Sequence, residues 1–231
     1  MNGIAAWVSQ LRWDVALDML TVAVAAVLCI TIHETCHGLA ALALGDQTAK
    51  RMGRLSLNPL RHVDLMGLVM LIVAKVGWAK PVPVDPRHFK NPKAGMALVA
   101  VAGPLSNVLL SAVAAVGYAV SCFYSIYWEI AALELLANFF SYIFYISAGL
   151  AVFNLLPIPP LDGSKVLFSF LPKQWYWKLM CYERYVMLLL MALLLTGTLD
   201  VPLNYLRGGL IDLLMPVSEG VFDLLYALHV R

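Results

Sequence analysis

Residues 33–37 read His-Glu-Thr-Cys-His. On a helix, positions i and i+4 project from one face, one turn apart. The imidazoles of His33 and His37 can therefore share one zinc ion at about 2.0–2.1 Å. Glu34, next to the first ligand, can reach a zinc-bound water as general base. The competing reading is an accidental pattern on a membrane helix. Against it, three ionisable side chains within five residues of an apolar span are costly and mark function by default.

A catalytic zinc takes a third protein ligand and leaves one position open. The candidate is Asp162, at the end of the run Asn154-Leu155-Leu156-Pro157-Ile158-Pro159-Pro160-Leu161-Asp162-Gly163. Prolines 157, 159 and 160 cannot continue a helix, so the preceding span must break there. Broken backbone at membrane depth needs protein or water partners, a cost that makes sense where it shapes a site. Without the histidine pair, Asp162 would read as an ordinary interfacial turn or helix N-cap.

Membrane helices must position these groups. Of the 231 residues, 61% are hydrophobic and 13% charged, where soluble domains carry about 45–50% and roughly 25%. The mean hydropathy of +0.80 agrees. Residues 15–44, 94–120 and 130–156 each meet the roughly 20-residue length of a spanning helix. The second is free of charge and rich in small residues, which suits close helix packing. Residues 185–199 are apolar but short. Residues 208–228 are apolar but broken by Asp212, Pro216, Glu219 and Asp223, and read as an interfacial or partly inserted helix.

Charge sets the expected orientation. Lys50, Arg51, Arg54 and Arg61 cluster in one loop, Lys80, Arg87, Lys90 and Lys93 in the next, and Lys165, Lys173, Lys178 and Arg184 in a third. The positive-inside rule places these in the cytoplasm and residues 121–129, read as a loop holding Cys122, outside. Residues 63–78 lie between two basic loops and are expected to re-enter rather than span. His33 and His37 then lie about 11 and 7 residues from the cytoplasmic end of their helix, roughly 10–17 Å deep. Asp162 follows a span running inward, so it falls on the same side.

The net charge of +2 does not point to nucleic acid. Four cysteines without a CxxC pair give neither a disulfide framework nor a cysteine-only zinc site. The N-terminus does not read as a cleavable signal. His62, His88 and His229 are expected to be solvated or interfacial, and Asp64 and Asp85 to be loop residues. Cys36 is expected to be a small packing residue. A zinc transporter or channel would also use intramembrane His, Glu and Asp. No inverted repeat supports that reading.

The motifs resemble those of the site-2 protease family of intramembrane metalloproteases, in the family's order. They comprise His33-Glu34-Thr35-Cys36-His37, Gly-Asp and Gly-Arg near 45–54, and Asn58-Pro59-Leu60. Gly77-Trp78-Ala79-Lys80-Pro81-Val82-Pro83-Val84, Ala102-Gly103-Pro104-Leu105-Ser106-Asn107, Asn154-Leu155-Leu156-Pro157 and Leu161-Asp162-Gly163 follow. The resemblance implies ligands at His33, His37 and Asp162, a base at Glu34, and a substrate or oxyanion role for Asn154, which could otherwise bond between helices. Gly103 and Asn107 match a further family pattern, and packing is the role expected of them, Gly103 for close approach and Asn107 for bonding across helices. No segment reads as the PDZ or nucleotide-sensing domain that many members carry.

The expected architecture is thus a single all-α polytopic domain over residues 1–231. It has four to six transmembrane helices and a re-entrant or short β-like element near the site. Gln47 to Asn58 and Trp78 to Asp85 are the candidate edges for an extended substrate. The expected function is cleavage of transmembrane protein or peptide substrates in a prokaryotic plasma membrane, with one Zn2+ ion and the site nearer the cytoplasm.

Overall fold

The computed structural model describes residues 12–64, 66–67 and 78–229. Helix α1 (Trp13–Ala43) carries the first apolar run, and the single turn α2 (Thr48–Arg51) follows. The central helix is α3 (Pro92–Trp128), started by Asn91, whose side chain accepts from Ala94 N, and by Pro92 in the first turn. Helix α4 (Ala131–Leu155) ends where the prolines begin. The short α5 (Asp162–Ser169) follows the proline turn, then α6 (Lys173–Leu195) and α7 (Asp200–His229).

Helix α3 packs against α1, α4, α5 and α7. Its small residues permit this. A Cβ on Gly117 would lie 2.7 Å from the Phe140 ring on α4, and Ser111 Oγ donates to Phe144 O at 2.9 Å. Ala25, Cys29, Ala114, Ala115, Ile143, Phe144 and Leu214 form the core where α1, α3, α4 and α7 meet. Helices α1, α3 and α4 are long and apolar enough to cross a membrane. The end of α6 and α7 pass that test together, bent by 85°. Counted as one span, the pair gives four among the described residues, the lower end of the expected range. Gly197, at φ +70°, makes the turn between them.

Three expectations change. Residues 121–128 continue α3 as helix, so Cys122 is helical and half-buried rather than in a loop. The apolar, charge-free sequence has nothing to stop the helix before Glu129, which takes the left-handed conformation at φ 54°. The helix expected over residues 208–228 extends over Asp200–His229 and lies against α3, with Leu214 and Ser218 buried and Phe222 packed on Phe123. Gln47 to Asn58 is not an edge strand, since Thr48–Arg51 is a helical turn begun after the Asp46 side chain accepts from Thr48 N.

Residues 68–77, the bulk of the expected re-entrant element, lie outside the described residues. Its flanks meet: Val63 and Ala79 form an isolated antiparallel bridge, and Lys80 N donates to His62 O at 2.8 Å. This is the short β-like element. Arg54 Nη2 holds the carbonyls of Lys80 and Pro81 at 2.7 and 3.2 Å. At its far end the fully buried Asp46 accepts from Thr48 Oγ1 and Asp85 N, joining the two loops. Burial acts to raise the Asp46 carboxyl. Thr48, the backbone N–H of Asp85 and nearby His88 more than offset this and hold it below the usual carboxylate range. Arg87 holds Asp85 down at about 2.

Candidate metal centre

Four residues apart on α1, His33 and His37 turn their rings toward each other edge-on, with centroids 4.6 Å apart. Their Nε2 atoms are 3.0 Å apart. The proline turn delivers Asp162 at the first position of α5, with Oδ2 3.2 Å from His33 Nε2 and 3.1 Å from His37 Nε2. All three residues are buried, at 7%, 8% and 7% exposure. Residues more than a hundred positions apart thus converge on one point, as the sequence predicts.

The triangle fits a metal. Three electron-rich atoms this close repel one another unless a proton or cation sits among them. A tetrahedral zinc about 2.0–2.1 Å from each ligand sets ligand atoms roughly 3.3 Å apart. The observed edges are 3.0–3.2 Å. Two imidazoles and a carboxylate also suit zinc chemically, and leave a fourth position for a reacting group.

Helix α3 backs the site. A Cβ on Gly103 would lie 2.4 Å from His37 Nε2 and 2.7 Å from His33 Cε1, so the missing side chain makes room for both rings. His37 Nδ1 lies 2.7 Å from Val99 O, and His33 Nδ1 lies 3.1 Å from the Asn107 amide. Gly163 permits the approach of α5 to α4, since a Cβ there would lie 2.1 Å from Leu155 O. Lys165, one turn beyond Asp162, sets Nζ 3.2 Å from the carboxylate oxygen that faces away from the histidines.

Glu34 is half-buried, and its Oε2 accepts from Val82 N at 2.8 Å. The glutamate is thus joined to the extended stretch 78–85. Asn154 donates its amide to Leu150 O at 3.0 Å, within its own helix, and no hydrogen bond joins it to the triad. Cys36 is half-buried and stands outside the donor triangle. His88 is a half-exposed loop residue on Asp46, and His229 is exposed. His62 departs from expectation: it is 1% exposed, with Nε2 donating to Ser56 O at 2.7 Å. Ser56 O also accepts from Thr35 Oγ1, so Thr35 fastens the loop to α1 at the carbonyl that His62 holds within the loop.

The residues missed as site residues are Asn107, Lys165 and the Val99 carbonyl. One signal was available for the first. Gly103 and Asn107 share the i, i+4 spacing of the histidines, so they present one face of α3 to the paired rings.

The sequence model described as Peptidase family M50 matches residues 21–196. The chain belongs to peptidase family M50, the site-2 protease family. It is by that membership a zinc metalloprotease. Among M50 relatives, YwhC of Bacillus subtilis (strain 168), named as a candidate zinc metalloprotease, is 38% identical over 173 residues. That stretch covers 72% of this chain and 76% of YwhC. Two mycobacterial proteins named Rip2, also candidate zinc metalloproteases, match at lower identity. The Mycolicibacterium smegmatis protein is 28% identical over 176 residues and the Mycobacterium tuberculosis protein 29% over 177. Each match covers 74% of this M50 chain and 65% of the Rip2 protein. No solved structure matches the chain significantly.

Proposed function

We propose that this M50 protein is an intramembrane endopeptidase that cuts transmembrane protein or peptide substrates, with one zinc ion held by His33, His37 and Asp162. The observation that carries the reading is the buried triangle of donor atoms 3.0–3.2 Å apart, built partly on a helix apolar enough to cross a membrane. Bound there, zinc would supply Lewis acidity to a water and to the peptide carbonyl.

The chain's own residues do the rest. Glu34 takes the proton of the attacking water on a carboxylate oxygen and hands it to the leaving amine. Its bond to Val82 N places the stretch 78–85 beside that carboxylate. An extended substrate pairing with this stretch would present its backbone where Glu34 acts. Asn154 is proposed as oxyanion donor, which requires its amide to leave Leu150 O. The basic loops support an orientation with the site nearer the cytoplasm, and the compact core supports a prokaryotic plasma membrane as its home.

The test compares wild type with Glu34→Gln, measuring bound zinc and cleavage of a membrane-spanning substrate. Stoichiometric zinc in both, with cleavage falling at least a hundredfold in the variant, is the expected result, in line with the usual worth of a general base. Undiminished cleavage by Glu34→Gln would refute the assigned base. Zinc flux into vesicles without cleavage would favour a transporter.

A further inference from the structure

Asn107 and Ser147 are among the most deeply buried polar residues of the bundle, each 0% exposed. Asn107, on α3, stands with Nδ2 3.1 Å from His33 Nδ1 on α1. On its other side, Ser147 of α4 sets Oγ 3.4 Å from Asn107 Oδ1. One amide thus links three helices at the ligand. A polar group so placed needs partners of the right sense on both sides, because an unmatched one is costly at membrane depth.

The sense of this bond depends on what His33 does. The Nε2 atom of His33 faces the donor triangle. A neutral imidazole that ligates through Nε2 keeps its proton on Nδ1, and that N–H needs an acceptor. The other ligand already has one, since Val99 O lies 2.7 Å from His37 Nδ1. His33 instead meets the donor end of an amide. A half-turn of that amide about its last bond exchanges Oδ1 and Nδ2 with little change of volume. It then accepts from His33 Nδ1–H and donates to Ser147 Oγ, so each of these two contacts pairs a donor with an acceptor.

We propose that Asn107 is a positioning residue for the metal. Steadied by Ser147, it turns its carbonyl oxygen to His33 Nδ1–H when zinc binds, fixing the ligand's tautomer and ring angle. The proposal rests on the reading of His33 as a ligand. The packing and cross-helix bonding expected from sequence are met by a bond of either sense, whereas this role demands an acceptor facing His33.

Substitutions separate the two. Asn107→Asp keeps size and supplies only acceptors, while Asn107→Leu keeps approximate size and supplies none. Zinc affinity of the full-length protein in detergent, read by competition with a chelator, should fall 10–100-fold in Asn107→Leu, the usual effect of removing such a partner. Asn107→Asp should stay within about threefold of wild type, and Ser147→Ala should lose a smaller factor than Asn107→Leu. Melting of the metal-free proteins reports folding separately. If Asn107→Leu does not fold, Asn107→Asp decides alone. A loss of tenfold or more there overturns the proposal, as does wild-type affinity in a folded Asn107→Leu. His33→Ala tests the underlying reading: wild-type zinc affinity in that variant would remove the ligand assignment itself. Loss there alongside unaltered Asn107→Leu would remove only the positioning role.

Discussion

Gly103 concentrates the chemistry of the site in an absent atom. Alanine is favoured over glycine inside a helix by about 1 kcal/mol. Gly103→Ala should therefore help α3 as a helix. Yet the added Cβ would lie 2.4 Å from His37 Nε2 and 2.5 Å from its Cε1. At least one imidazole must leave the triangle. The expected outcome is a zinc affinity at least tenfold weaker, read by chelator competition, with helical content by circular dichroism unchanged. Unaltered affinity would show that the rings do not need this gap. Legibility at this scale follows the nature of each signal. The pairing of His33 with His37 was readable because their spacing along one helix is itself the geometry. Asp162 was readable because the prolines announce a break. Asn107 was read as packing and bonding across helices, but its partner His33 was not readable, since that bond depends on how α3 turns against α1, a tertiary register that no local pattern encodes. His62 was misplaced for the same reason, as its burial comes from a loop folding back onto α1.

Among the elements, the long helices were legible from apolar length, but their ends were not always so. Helix α3 runs on to Trp128 because no cap or charge interrupts it. The loops between α1 and α3 were the least legible part, since their order comes from a few polar bonds. Asp46 is central among them, accepting from Thr48 and Asp85 N while His88 Nδ1 lies 3.0 Å away. Both Asp46 and Asp85 have folded carboxyl pKa values below the ordinary range, Asp85 at about 2. Their contribution to stability is thus fully present above the unfolded value of about 3.9, and is lost as pH falls through the folded values. The loop junction should loosen as pH falls from about 4 toward 2. Hydrogen exchange at the amides of Thr48 and Asp85 measures this. Asp46→Asn replaces one acceptor oxygen by a donor facing a donor. It should destabilise the junction by about 1–3 kcal/mol at neutral pH and flatten the acid response. Protection that is equal at pH 7 and pH 3 in wild type would contradict the assignment. The junction matters to the site because the stretch it anchors carries Val82, the partner of Glu34.

For the molecule as a whole, the donor triangle is a long-range clasp. It ties α1 to α5, between residues 37 and 162, across the full length of α3 and α4. In the unfolded chain those groups are far apart, and the His33–His37 pair alone is a poor site. Zinc held there as proposed would bind the folded state preferentially and stabilise it by mass action, by about 4 kcal/mol when free zinc is a thousandfold above its Kd. For a chain of this size that corresponds to a rise in Tm on the order of 10 °C. The expected outcome is a higher Tm in detergent with zinc than with a chelator. The increment should be lost in Asp162→Asn and His33→Ala alike, and kept in Glu34→Gln. Equal loss from the two variants at proposed ligands follows because either one opens the same clasp, whereas Glu34, the proposed base, lies outside the triangle. An increment surviving in Asp162→Asn would show that the two histidines hold the metal without α5. The link between the first helix and the proline turn would then have to come from packing alone.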